Sequence, residues 1–545
     1  MTTNSESSTV DERVPVLVVG AGLAGLSTAM FLARRGIRPL VLERHQGTSI
    51  HPKANGQNPR TMELLRIGGV ADEVLAASYG TINDSLVIKV AESLHGRVFH
   101  SIVHSQQDMD FSTASPAPWG MATQDRVEPI LLRQAEKLGA RVWFDTEVVS
   151  VEQDGTGVTA RVLDRPTGRL STVRADYLVA ADGGRSPIRR KLDIPTHGRG
   201  ALSHHIGVIF EADLAELVEP NKITLFYLQN PAFTGVLGAS DETGGRHIFT
   251  VQYHPERGES AEQFTERRLV ELIRIATDAP ELEPVIRGVQ SWEMAARIAD
   301  TFRVGRVFLA GDAAKVTPPT GGMGGNAAVQ DGYDLAWKLA AVLTGQAGPG
   351  LLDSYHAERA PVAELVVNDS LANYVERMAP HLAGPDIPES AGHDRVLLGF
   401  RYRSGAILAE DDDPAPTEDP FQPTGRPGFR APHVPLRDNG TEVSTLDLYG
   451  VDWLVFTGPD GDAWHGAADE VAARLGVPLR VVQVGGAAGL DDPTGRFTEV
   501  YGIGAAGASL VRPDGMVAWR RADQPVDPTA TLLDVLCRVL DRRVP

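Results

Sequence analysis

The sequence predicts an α/β protein: a parallel-sheet domain interrupted by a mostly antiparallel sheet, then a separate, smaller α/β unit. Three observations predict it. Apolar strands of the kind buried on both faces run into glycine-rich turns and helices at Val14–Gly36 and again at Arg306–Leu343. Between them, from about Leu202 to Glu293, short strands follow one another with turn residues between, interrupted by one helix at about Ala261–Thr277. A Pro- and Asp-rich stretch at about 410–432 then sets off a C-terminal region with its own strand and helix order.

These patterns divide the chain of 545 residues, too long for one ordinary domain, into four kinds of segment. Residues 1–85, 110–195 and 296–375 form the discontinuous parallel-sheet domain. Residues 86–109 and 196–295 form the inserted sheet, 376–410 a helical connection, 411–432 a linker and 433–545 the last unit. The composition, 42% hydrophobic and 23% charged, is that of a soluble globular protein. A net charge of −19 argues against duplex nucleic acid or an anionic membrane as partner, and no apolar run is long enough to span a bilayer. The polar start "MTTNSESSTVDER" has no apolar core of a secretory signal and predicts a disordered tail on a cytoplasmic protein. A lone cysteine, Cys537, excludes an intrachain disulfide and sits among helix-spaced apolar residues as a small buried hydrophobe.

In chain order, "VPVLVVG" is a strand, "AGLAG" a tight turn and "LSTAMFLARRG" a helix closed by Gly36. "RPLVLER" is the next strand, and Pro59 suits the first position of a helix over "NPRTMELLRIGG". Arg126–Leu138 is amphipathic; "ARVWFDTEVVSVEQ", "GVTARVLD" and "ADYLVAADGG" are strand-like. The last unit reads strand Trp453–Phe456, helix Trp464–Leu475, strands Leu479–Val484, Ala508–Val511 and Met516–Arg520, and a final helix. That order resembles a thioredoxin-like fold. It lacks Cys-x-x-Cys, so a structural or assembly role is expected.

Three motifs carry chemistry. Gly20-Ala21-Gly22-Leu23-Ala24-Gly25 lies between a strand and a helix, as a dinucleotide-binding (Rossmann-like) turn does. Gly20 permits the turn, Gly22 lets a pyrophosphate approach the backbone, and Gly25 lets helix and strand pack closely. The phosphate charge then meets the helix N-terminus. Glu43, ending the next strand, suits ribose hydroxyls and disfavours a 2′-phosphate, which points to FAD or NAD. The second motif, Asp182-Gly183-Gly184-Arg185-Ser186-Pro187, follows "ADYLVAA" and on local evidence is a turn. In the third, Gly311 and Asp312 close a strand, and Gly321, Gly322, Gly324 and Gly325 precede a helix. A strand-end carboxylate can bond a polyol. Bare backbone N–H groups at a helix start can donate to the carbonyl edge of a flat ring that becomes negative on reduction.

Taken in order, these motifs resemble the signature of class A flavoprotein monooxygenases, the para-hydroxybenzoate hydroxylase fold, over roughly residues 1–380. "GQNPRTMELLRIGGVADEV", "SWEMAARIA", "GRVFLAGDAAKVTPPTGGM", "GNAAV" and "TGRPGFR" resemble, over nearly the whole chain, the aromatic polyketide hydroxylases of antibiotic biosynthesis, aklavinone hydroxylases in particular. The resemblance implies tightly bound FAD, NADPH as a transient reductant, O2, and hydroxylation of a polycyclic aromatic polyketide through a C4a-hydroperoxyflavin. It implies that Gly20, Gly22, Leu23, Gly25 and Glu43 hold the ADP part of FAD, that Gln124 contacts the ribityl region, and that Asp182 and Gly183 belong to a motif shared by FAD and NADPH. Gly311 and Asp312 meet the ribityl chain; Pro319, Gly322, Met323 and Gly324 present backbone to the ring. Arg44, Lys53 and Arg60 are candidates for the NADPH phosphates. Tyr227, in "LFYLQ", is expected to relay the phenolic proton, and Arg377, in "YVERMAP", to stabilise a phenolate. His204 and His205 are adjacent in a strand and point to opposite faces, and no metal is expected. The oligomeric state is open. So are two other readings: a related antibiotic-modifying or Baeyer–Villiger oxygenase, and a flavin-binding protein without turnover.

Overall fold

Strands with no polar alternation are built to be covered on both faces. In the computed structural model, which describes residues 10–78, 86–104, 110–214, 223–239, 245–486 and 489–543, such strands form the centre of an array of five that lie side by side. Residues 1–9 of the expected tail lie outside this set. Strands Val307–Leu309, Leu170–Ala180, Glu12–Val19, Leu40–Leu42 and Arg141–Trp143 pair in parallel in that spatial order. The first three are neighbours, and each runs directly into one of the three motifs. Ligands of open α/β sheets bind outside the carboxyl ends of the strands; the topology therefore delivers Gly20, Asp182 and Gly311 to one edge.

Helices Leu23–Arg34 and Met323–Leu343 cover one face of this sheet. They touch closely: a Cβ on Gly332 would stand 2.5 Å from Ser27 Oγ. The stretch read as one strand over "ARVWFDTEVVSVEQ" is two, broken at Asp145, whose φ of +51° is incompatible with a strand. The second of these, Thr146–Asp154, forms a hairpin with Gly157–Asp164 that joins Leu170–Ala180 antiparallel. Pro59 is the first residue of helix Pro59–Gly68, capped by Asn58, whose Oδ1 accepts the Thr61 N–H at 2.9 Å.

The inserted sheet orders its strands Lys315–Val316, Val285–Ala299, Thr196–Glu211, Arg246–Tyr253, Phe233–Ala239, Ile223–Asn230, Leu86–Ala91 and Val98–His104. All pairs are antiparallel except Ile223–Asn230 with Leu86–Ala91, where the two excursions of the chain meet. The expected helix from Ala261 is a short 3-10 turn over Ala261–Gln263 and a helix over Glu266–Thr277. The helix begins only at Thr265, whose hydroxyl caps Arg268 N–H. Its face of Leu269, Leu272, Ile273 and Ala276 packs on the sheet. The sheet also extends beyond residue 295. Its strand continues to Ala299 and pairs with Lys315–Val316, so the insert reaches the residues just after Asp312.

Helix Asp353–Arg377 crosses between sheet and parallel domain and ends on Arg377. Segment 411–432, read from its composition as a linker, is not a free tether. Asp411 and Asp413 pair with Arg426, Asp411 also pairs with Arg401, and both arginines lie over the buried Phe429 ring at 5.1 and 5.0 Å. Asp411 and Asp413 are thus neutralised in place, which composition alone does not reveal. The last unit has a four-stranded sheet ordered Leu479–Gln483, Trp453–Thr457, Ala508–Val511, Val517–Arg521; the first pair is parallel and the other two are antiparallel. Cys537 is buried in its final helix, Pro528–Val539.

The turn before the last strand inserts into the parallel domain. Tyr333 Oη donates to Pro513 O at 2.7 Å, and Arg512 donates through both terminal nitrogens to Glu358 at 2.6 and 2.8 Å. The acidic group Asp334, Glu358 and Asp514 is gathered around Lys338 and Arg512, so the protein's own cations neutralise it.

Candidate active site

At the first turn, Gly20 has φ +105°, and a Cβ there would lie 2.2 Å from Ala181 O; one on Gly25 would lie 1.8 Å from Gly20 O. Only glycine fits either place. Gly22 is the N-cap of helix Leu23–Arg34, which has no side-chain cap and no acidic residue in its first turn, so its free N–H groups and dipole are open to an anion. Glu43 Oε2 accepts the Ala21 N–H at 2.8 Å and braces the turn from the neighbouring strand. Arg44 stands exposed beside it.

Asp182 faces the same edge. Its Oδ2 accepts the Ile188 N–H at 3.2 Å, while Oδ1 is buried with no partner. Burial raises its pKa. Gly183 follows at φ +82°. Gly311, at φ +60°, gives its N–H to Asp331 Oδ2 at 3.0 Å, which fixes the strand end and leaves Asp312 pointing away. Asp312 is enclosed by protein yet open to solvent, as a side chain lining a deep cleft is; this enclosure raises its pKa, against the pull of Lys315 and Lys53.

The third loop closes the cleft. Gly321 and Gly322 have φ of +98° and +67°, and Gly322 is an uncapped N-cap of helix Met323–Leu343. A Cβ on Gly325 would stand 2.8 Å from Ala54 and 3.0 Å from Leu23, which joins this loop to the first turn. Pro319 is exposed at the loop; Met323 turns its side chain into the core and leaves Gly324 backbone facing out. Three distant stretches thus line one glycine-walled cleft. Its features, two uncapped helix starts, an orphaned buried carboxylate oxygen at Asp182 and a free carboxylate at Asp312, fit the diphosphate, polyol and flat ring of FAD.

Several contributors were not read from the sequence. Glu128, 1% exposed, has Oε1 3.7 Å from the position of a Gly22 Cβ; it accepts Gln124 Nε2–H at 2.6 Å and Ser49 N–H at 2.8 Å. Gln124 therefore reaches the cleft through Glu128. Asn326 locks the third loop: it donates to Gly322 O at 2.8 Å and Gly56 O at 3.1 Å and accepts from Asn58 N–H. One expectation is overturned. Arg60 is buried, held by Glu63 at 2.9 Å and Asp514 O at 2.6 Å, and has no face left for a nucleotide phosphate. Lys53 is exposed, and its charge acts on both Glu128 and Asp312.

Across the cleft, Tyr227 is buried among Ile88 and Val90 of the inserted sheet. The Arg377 guanidinium abuts its hydroxyl; burial raises the tyrosine pKa and the arginine opposes it, so the hydroxyl keeps its proton at neutral pH. Arg377 Nη2 donates to Asn373 Oδ1 at 2.8 Å, and its Nε is buried with no acceptor. Asn373 in turn stands 3.6 Å from the position of a Gly321 Cβ, so the pair is tied to the third loop.

Burial raises the Glu128 pKa, helped by Glu43 and opposed by its two hydrogen bonds and Lys53. A carboxyl raised by folding costs stability progressively as pH climbs from its unfolded value to its folded one. Glu128→Gln keeps an acceptor for Ser49 and removes that cost. Its thermal midpoint relative to wild type is expected to rise between pH 4 and pH 8; a difference independent of pH would contradict the assignment.

A glycine turn on a parallel strand, its strand-end acid and a second glycine loop define a dinucleotide-binding domain built around one cofactor. A family model described as FAD binding domain matches residues 13–370, and one described as aromatic-ring hydroxylase, C-terminal, matches residues 424–542. The chain belongs to the FAD-binding aromatic-ring hydroxylases. It is 56% identical to aklavinone 12-hydroxylase RdmE of Streptomyces purpurascens over 98% of this chain and 100% of that one. It is 58% identical to aklavinone 12-hydroxylase DnrF of Streptomyces peucetius over 83% of this chain and 93% of that one. The crystal structure of a ternary complex of aklavinone-11 hydroxylase with FAD and aklavinone superposes with a TM-score of 0.93 at 55% identity, covering 98% of this chain and 100% of that one.

Proposed function

We propose that this protein hydroxylates a polycyclic aromatic polyketide of the anthracyclinone class, using FAD, NADPH and O2. The full-length similarity to aklavinone hydroxylases supports the substrate class. The observation that carries the reading is the Tyr227–Arg377 pair, buried opposite the cleft with one guanidinium N–H unsatisfied. A buried donor without an acceptor is costly unless a ligand supplies one; a phenolic oxygen does so.

Bound FAD supplies electron transfer and oxygen activation. Gly20, Gly22, Leu23, Gly25 and Glu43 would hold its ADP part, Gln124, Asp182, Gly183, Gly311 and Asp312 the middle, and Pro319, Gly322, Met323 and Gly324 the ring. Arg44 and Lys53, on the rim, are the charges left for NADPH. Arg377 draws the substrate phenol toward phenolate, the form that an electrophilic oxygen attacks. Tyr227, protonated at rest, would accept the phenol's proton as it passes its own hydroxyl proton on toward solvent, leaving the phenolate beside Arg377. The inserted sheet and the end of helix Asp353–Arg377 exclude water from the pair. We assign a thioredoxin-like fold and a structural role to the last unit; its four-stranded sheet with one parallel and two antiparallel pairs and its buried single cysteine support that reading. No helix among the described residues is long and apolar enough to cross a membrane, and a cytoplasmic location suits the lone thiol.

Asp312→Ala tests the cofactor placement. The purified variant is expected to lose most of its flavin absorbance, or to retain FAD that NADPH reduces more slowly; full occupancy with unchanged reduction would remove Asp312 from the site. Product mass with an anthracyclinone tests the reaction: a gain of one oxygen on the ring system supports hydroxylation, and no product with active NADPH oxidation refutes it.

A further inference from the structure

The sheet register that places Tyr227 also determines what lies beside it. Tyr227 is opposite Val90 on one neighbouring strand and Val236 on the other. Two residues on, Gln229 is opposite Thr234 and lies on the same face, roughly 7 Å along the strand. The face therefore changes character in one step, from an apolar tier of Ile88, Val90, Tyr227 and Val236 to a polar tier at the strand ends.

The polar tier is the floor of a groove of about 510 Å³. Glu92, Arg97, Phe99, Gln229 and Thr234 line it from the sheet, and Met378 closes it from the end of the long helix. Met378 also packs against the Tyr227 cluster, so one side chain borders both compartments. The Phe99 ring is 47% exposed with the Arg97 guanidinium 5.4 Å from its centre. Asn230 is spent on the local turn, through Ala232 N–H at 2.9 Å and Glu92 O at 3.3 Å. The side chains of Glu92, Gln229 and Thr234 have no hydrogen bond among the described residues. Their donors and acceptors, beside an open aromatic face, match a saturated ring carrying several hydroxyls: the ring edge lies on the aromatic surface, and the hydroxyls bond carboxylate and amide.

We infer that this groove is an annex of the substrate site that binds a hydroxylated, non-aromatic ring attached to the planar body held at Tyr227. It rests on the functional reading above and adds a specificity element to it. Such a ring comes from one of two sources, an alicyclic ring fused to the aromatic system or a sugar linked to it.

The test is binding of three ligands to oxidised holoenzyme, read by perturbation of the flavin spectrum. The ligands are a planar hydroxyanthraquinone, an anthracyclinone with a hydroxylated saturated ring, and its monoglycoside. Gln229→Leu is expected to weaken the anthracyclinone roughly five- to tenfold, the worth of a neutral hydrogen bond or two, and to leave the planar ligand unchanged. If the annex takes a sugar, the glycoside binds wild type more tightly than the aglycone and loses more in the variant. Thr234→Val, on the adjacent strand, repeats the test should Gln229→Leu fail to fold. Equal shifts for all three ligands, or none, would overturn the annex while leaving the hydroxylase reading intact. Failure of every ligand to perturb the wild-type flavin would sink both.

Discussion

Arg377→Met retains its flavin and its fold but hydroxylates about 10²–10³-fold more slowly, the usual loss when one preorganised charge or donor is removed from a reacting oxygen. Arg377 stands on the last turn of its helix and touches no glycine of the cofactor cleft directly, which is why FAD binding survives. Its removal strips the positive charge from beside the buried Tyr227 and takes away the N–H that has no protein acceptor. The substrate phenol is then no longer drawn toward phenolate, and its effective pKa rises. The sign follows: hydroxylation by the variant recovers as pH rises, moving the rate profile to the alkaline side. Arg377→Lys restores the charge without the planar fork and rescues only part of the rate. NADPH oxidation continues in each variant, with the missing product replaced by hydrogen peroxide. Tyr227→Phe leaks peroxide in the same way, because the proton path is broken while the charge remains. The decisive measurement is the ratio of hydroxylated product to NADPH consumed, across pH. Wild-type coupling in Arg377→Met would remove Arg377 from the chemistry, and wild-type coupling in Tyr227→Phe would remove Tyr227.

The cleft was legible where backbone geometry forces a residue type. Gly20 and Gly25 are glycine because any side chain there meets a carbonyl, so the turn could be read without coordinates. That Asp182 and Asp312 each follow the end of an apolar strand is legible too; the strand order that brings them to the same edge is set by pairing in space and is not. Glu128 was not legible: on an amphipathic helix a glutamate reads as solvated, and only the packing of Ser49 and Gln124 shows that it is buried. Asn326 is hidden in the same way within an apolar-rich helix. Arg60 misled in the opposite direction, since a sequence does not distinguish an arginine reaching solvent from one enclosed by Glu63 and the last unit. The composition of 411–432 suggested a tether because its compensating arginines are contacts in space, not neighbours in a pattern. The union of Tyr227 with Arg377 was expected only through family resemblance; nothing local to either residue signals it.

That last unit is where the second large effect falls. Arg512→Met is expected to destabilise the protein by about 3–5 kcal/mol, the cost of leaving a buried ion pair with one partner. Arg512 is fully buried and holds both oxygens of Glu358, along with Asp514. Without it, Asp514 loses its paired cation, and Glu358 is left with Lys338, which already serves Asp334 at 2.7 Å. The damage does not stop at the boundary between units. Glu358 precedes Arg359, whose Nε donates to Asp331 at 2.8 Å, and Asp331 holds the Gly311 N–H beside Asp312. Loosening the network therefore loosens the flavin loop, and the variant should release FAD at a lower temperature than wild type. Arg512 and Lys338 hold the Glu358 pKa down at about 2 despite burial. A depressed carboxyl contributes its stability above the ordinary carboxylate range and loses it as pH falls toward the folded value. The variant has already lost this contribution, so its deficit is largest at neutral pH and narrows below about pH 4. Thermal unfolding of holoenzyme at pH 7 and pH 4, followed by both flavin fluorescence and circular dichroism, measures it. An unchanged midpoint at pH 7, or flavin release that does not track unfolding of the variant, would show that the last unit is dispensable to the cleft.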